Sequence, residues 1–71
     1  MSKFAVVIDS AGDNYSAYVP DLPGCVSAGY TLEEVTANIQ EAIEIHIESL
    51  IEYGEEVPQP SSRVLLIDAN S

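Results

Sequence analysis

The spacing of apolar positions changes along this chain, and each change marks an element. Residues 3–9 gather the β-formers Phe4, Val6, Val7 and Ile8 with no helix cap, and predict a first strand. Ser10, Ala11, Gly12, Asp13 and Asn14 read as a turn. Residues 15–19 alternate, with Tyr15, Ala17 and Val19 on one face and Ser16 and Tyr18 on the other. They predict a second strand, antiparallel to the first across a short connection. Pro20 cannot donate to a ladder and ends it. Leu22, Pro23, Gly24 and Cys25 fit a type II turn, in which Pro23 presets φ and Gly24 takes the positive φ of the third position. Residues 25–29 then form a short third strand, returning beside the second.

After Tyr30 the period lengthens to that of a helix. Thr31, Leu32, Glu33 and Glu34 spell a capping box. In it the Thr31 hydroxyl accepts from the Glu34 N–H, and the Glu34 side chain reaches back to the Thr31 N–H. A helix is predicted over residues 32–53, with Gly54 as its left-handed stop. Its apolar stripe is Leu32, Val35, Ile39, Ala42, Ile43, His46 and Leu50, widened by Ile47 and Ile51. Ile45 lies on the flank, at a position suited to an oligomer contact. Residues 55–62 contain Pro58 and Pro60 and read as an extended connector. Residues 63–68, RVLLID, are almost unbroken in apolarity and suit a strand covered on both faces. The expected fold is α+β, a two-layer β-β-β-α-β domain of sheet order 3-2-1-4 with one long helix on one face and a right-handed crossover. The other sheet face is left open, and a second copy of the sheet is its simplest cover.

Size sharpens that expectation. The chain has 71 residues, enough for one small domain near the limit of independent stability. Cys25 is the only cysteine, and no cluster of cysteine and histidine suggests a structural metal. Self-association would supply the missing buried area. A single thiol and a start without a signal peptide point to the cytoplasm, and no apolar run is long enough to span a membrane.

Charge changes the picture more. Twelve acids against two bases give a net charge of −10. Direct nucleic-acid or anionic-membrane binding is disfavoured, and a basic protein partner is favoured. Glu33, Glu34, Glu41, Glu44, Glu48 and Glu52 all project from the helix side opposite the apolar stripe, and the helix holds no Lys or Arg. Glu44 with Glu48, and Glu48 with Glu52, are like-charge pairs four apart. Glu52, Glu55 and Glu56 crowd a helix end whose dipole prefers cations. Together these cost about 1–2 kcal/mol at low salt. Two readings fit: an acidic ridge kept for a cationic partner, or a solvated face screened by salt.

Candidate catalytic groups are sparse. His46 sits on the apolar stripe as a packed histidine, and metal binding there would need carboxylates that no spacing supplies. Cys25 has no nearby cation or histidine in the sequence to lower its pKa, and reads as an inert thiol. Asp9 and Asp68 each end an expected strand, and those strands lie side by side in the expected sheet. Clustered carboxylates of this kind hold Mg²⁺ in phosphoryl-transfer nucleases. Glu41 and Glu44, the helix acids that would have to join them, face away from the sheet. No metal and no cofactor are implied.

Two long stretches carry a family resemblance: YSAYVPDLPGCVSAGYTLEEV, then ANIQEAIEIHIESLIEYGEEVPQPS. With the PDLPGC turn, the TLEE helix start and the E-x-G-E-x-V-P-x-P-S exit, the chain resembles the N-terminal domain of HicB-family antitoxins over almost its whole length. The resemblance implies a partial ribonuclease-H-like fold without a working nuclease site. It also implies a cytoplasmic protein that binds HicA, a small basic toxin that cleaves RNA with a histidine, and covers its active site. Many members continue into a DNA-binding domain. This sequence ends at Ser71, so a single HicB-like domain over residues 1–71 is expected, without that domain or promoter binding.

The function expected is therefore that of a non-enzymatic, homo-oligomeric antitoxin domain. Its acidic ridge is Glu41, Glu44, Glu48 and Glu52, and its partner contacts fall at Tyr18, Asp21, Leu22 and Ser27, with Asp21 and Leu22 as an exposed rim of the corner. The alternatives are a carboxylate-metal nuclease using Asp9 and Asp68, and an oligomeric domain sensing a ligand on the open sheet face.

Overall fold

A computed structural model describes residues 3–70. It contains β1 (Val7–Ala11), β2 (Asn14–Tyr18), β3 (Val26–Gly29) and α1 (Leu32–Glu52). The strands form one antiparallel sheet in the order β1-β2-β3. Ile8 stands opposite Ala17, and Ala17 opposite Ser27. The helix packs on β2 and β3. The alternation expected along β2 is realised: Ala17 and Val19 are buried, Ser16 and Tyr18 exposed.

The core is small. Ala17, Val19, Leu22, Cys25, Val35 and Ile39 are buried, with Phe4, Val6, Tyr15, Ala42, Ile43 and Ile47 packed around them. The corner between β2 and β3 is two turns in series. The Leu22 N–H donates to the Val19 carbonyl at 3.1 Å, and the Cys25 N–H to the Leu22 carbonyl at 3.0 Å. Gly24 has φ 84°, as the type II turn demands. The corner is then closed by the Val19 N–H, which donates to the Cys25 carbonyl at 3.1 Å.

Gly29 joins sheet to helix. A Cβ built there would lie 2.6 Å from the Val35 nitrogen, so only glycine lets the end of β3 approach the first helical turn this closely. Thr31 caps that turn, its Oγ1 accepting from the Glu34 N–H at 3.0 Å. The Glu34 carboxylate reaches one residue further back than expected and accepts from the Tyr30 N–H at 3.1 Å. The helix ends in a Schellman motif, with the Gly54 N–H donating to the Ile51 carbonyl and the Glu55 N–H to the Leu50 carbonyl.

Further expectations change. The first strand begins at Val7 rather than Lys3 and runs on to Ala11. Its ladder partner β2 ends at Tyr18, just before Pro20, so residues 3–6 have nothing to pair with on that side. Phe4 and Val6 nevertheless pack against the core. The fourth strand is not formed: residues 55–70 carry no ladder, and the sheet order stops at three strands. A strand apolar on both faces needs cover on both, and one sheet with one helix supplies cover on one. Leu32, expected in the core, is exposed beside Thr36, Ala37 and Gln40 on the helix flank.

Candidate interaction surfaces

The residues expected to touch a partner separate into different environments. Leu22 is 0 % exposed and plugs the corner from inside, so it is a core residue and not part of an exposed rim. Asp21 is half-buried and engaged. Its Oδ2 accepts from the backbone N–H groups of Ser61 at 2.8 Å and Ser62 at 2.9 Å, and its Oδ1 from their hydroxyls at 3.0 and 2.9 Å. Those backbone N–H groups, of Ser62 first and then Ser61, hold the Asp21 carboxyl down at a pKa of about 2. Asp21 thus pins the connector after the helix to the turn after β2. Ser27, opposite buried Ala17, lies on the helix-covered face of the sheet. Tyr18 alone stands out, 44 % exposed on the open face beside Val26.

That open face carries little charge. Alternation assigns it Val7, Asp9, Ala11, Asn14, Ser16, Tyr18, Val26 and Ala28, with Asp9 the one ionisable carboxylate. The helix shows the opposite chemistry. Glu41, Glu44, Glu48 and Glu52 are all exposed, and the last turn holds no basic residue. The two surfaces lie on opposite sides of the domain.

The catalytic candidates fare differently. Asp9 lies in the middle of β1 rather than at its end, and Asp68 lies in the unpaired segment, so the fold does not set them on neighbouring strands. Among the described residues, no three His, Cys, Asp or Glu side chains are placed to share a metal ion. Cys25 and His46 face the same groove, which the sequence alone did not show. Both line a shallow groove of about 350 Å³ with Val26, Ala42, Ile45 and Ser49. Yet Cys25 is buried, and desolvation pushes its thiol above the ordinary pKa, the reverse of what a nucleophile needs. A larger groove of about 620 Å³ runs along the far half of the helix between Phe4, Ile43, Ile47, Ile51, Val57 and Pro58. No described helix is long and apolar enough to cross a membrane.

An antiparallel three-stranded sheet backed by one acidic helix defines a small α+β domain. Residues 4–70 match the family model described as the HicB-like antitoxin of bacterial toxin-antitoxin systems, and the chain belongs to that family. It is 46 % identical over 56 residues to an uncharacterized 14.9 kDa protein of Haemophilus phage HP1, covering 79 % of this chain and 42 % of that protein. The chain therefore spans less than half of that relative. It is 38 % identical over 68 residues to a UPF0150 protein of Thermoplasma acidophilum, covering 94 % of this chain and 99 % of that one. Among solved structures, a chain of the HicA3 and HicB3 toxin-antitoxin complex superposes with a TM-score of 0.73 at 32 % identity, covering 84 % of this chain and 70 % of that one.

Proposed function

We propose that this protein is a cytoplasmic, non-enzymatic antitoxin domain that binds a small basic HicA-type toxin and blocks its cleavage of RNA. The observation that carries the reading is the exposed, lysine-free and arginine-free glutamate face of α1, on a chain of antitoxin family. Complementary charge speeds encounter and selects the partner, while close packing supplies the hold. The toxin sits on the acidic ridge of Glu41, Glu44, Glu48 and Glu52. The weakly charged sheet face with Tyr18 and Val26 is left for self-association, because two chains of net charge −10 approach most easily where the glutamates are furthest apart. The pattern of charge also speaks against direct nucleic-acid binding.

The test is an RNA-cleavage assay of purified HicA-type toxin with increasing amounts of this protein, at low and high salt. Stoichiometric inhibition that weakens with salt, and weakens again in Glu44→Lys/Glu48→Lys, is expected. No inhibition at any ratio would refute the antitoxin reading. Inhibition indifferent to salt and to both substitutions would refute the role of the ridge.

A further inference from the structure

Two β-forming segments remain without a ladder. Residues 3–6 lead into β1 but have no strand beside them, and residues 63–68 are exposed throughout and join no ladder. Leu65, Leu66 and Ile67 are 76, 99 and 80 % exposed. We infer that these segments pair between copies: residues 63–68 of one chain lie along the outer edge of β1 in a second copy, extend its ladder across residues 3–8, and receive the same strand in return.

Several observations favour a second copy over other occupants. The outer edge of β1 offers unpaired N–H and C=O groups, the template on which a further strand adds. The departing segment has a fixed root, since Asp21 holds both Ser61 and Ser62. From there, six extended residues reach about 20 Å. The radius of gyration, 13.7 Å, exceeds the about 11 Å of a compact chain of this length, as expected when an arm projects. Segment 63–68 balances Arg63 against Asp68 and carries no net charge, so a basic partner gains nothing from it, whereas another chain of −10 meets no repulsion there. Finally, this strand is apolar on both sides. In the sheet it joins, one side would turn toward that copy's helix layer, and the other would lie on the weakly charged open face given to self-association. Exchange of an identical element is a low-cost route to a dimer. The inference rests on the self-association part of the proposed function and is independent of toxin binding.

Sedimentation and amide hydrogen exchange of the full chain across a wide concentration range test it, with a mixed-label NMR sample reporting contacts between copies. A dimer or larger assembly is expected. In it the amides of Phe4, Val6, Val64 and Leu66 exchange at least about tenfold slower than in the dilute chain. Contacts between the Phe4 ring and Leu65 or Leu66 should appear between labelled and unlabelled chains. Leu65→Asp/Ile67→Asp should abolish the slow exchange at Phe4 and Val6 and the contacts between copies at Phe4, with the helix signal intact. An assembly with fast exchange at residues 63–68 would overturn strand exchange and leave self-association through the sheet face standing. A monomer at every concentration would overturn both. Slow exchange unaffected by dilution would mean the segment closes on its own sheet, and would also overturn the inference.

Discussion

The two halves of α1 are built for different surroundings. The first half is finished: Thr31 caps it, Gly29 lets it meet β3, and Val35 and Ile39 are buried against the sheet. The second half has acidic residues where the dipole wants cations, and Ile45 and Ile51 are exposed. Length explains the contrast. A helix of 21 residues is about 31 Å long, whereas strands of five residues span about 17 Å. The far half extends beyond the fully buried core and keeps only partly buried contacts, through Ile43 and Ile47, so the chain folds most tightly around one end of its helix.

Equal truncations at the two ends test that contrast most severely. Ile39→Ala should cost about 2–5 kcal/mol in urea unfolding, whereas Ile51→Ala in the dilute chain should stay within about 0.5 kcal/mol. Similar losses would abolish the distinction. Gly29→Ala comes next. Its methyl group would press on the Val35 backbone and should cost about 1–3 kcal/mol, read from the same unfolding midpoint.

The Asp21 clamp belongs to the finished end and should respond to acid. Its carboxyl has a lower pKa folded, about 2, than the usual 3.8, so the unfolded chain binds the extra proton. Its stabilisation is fully present above 3.8 and is lost as pH falls through about 2. The gap in urea midpoint between the parent and Asp21→Asn should therefore be constant near neutrality and close across that window. A gap that persists at the lowest pH would mean the contact acts through shape rather than charge. The smallest effect belongs to the far half. Glu48→Lys should stabilise the free chain by about 0.2–0.5 kcal/mol for each repulsive pair removed, visible as a rise in Tm. If it destabilised the chain, the ridge would have a structural role within the monomer.

What the sequence made legible follows the same division. The Thr31 cap, the Gly24 turn, the alternation of β2 and the Val35–Ile39 stripe are set by neighbours a few residues away, and each was readable. Residues 3–6 and 63–68 have equally strong β-forming composition, yet a strand exists only when another lies beside it, and composition does not supply that neighbour. Leu22 reads as rim because the edge at that corner would otherwise stay open. The overlooked signal was a lone large apolar side chain in a tight polar turn, which suits a plug. Asp21 joins residues forty positions on, and no local pattern announces such a tie. Leu32 fits the helical period but lies at the helix start, where the flank faces solvent.

The double grip of one carboxylate on Ser61 and Ser62 also determines how load travels through the molecule. Tension applied to the tail reaches the β2–β3 corner directly and bypasses the helix. A partner tugging on the last residues would strain the sheet first and leave the helical rod slack.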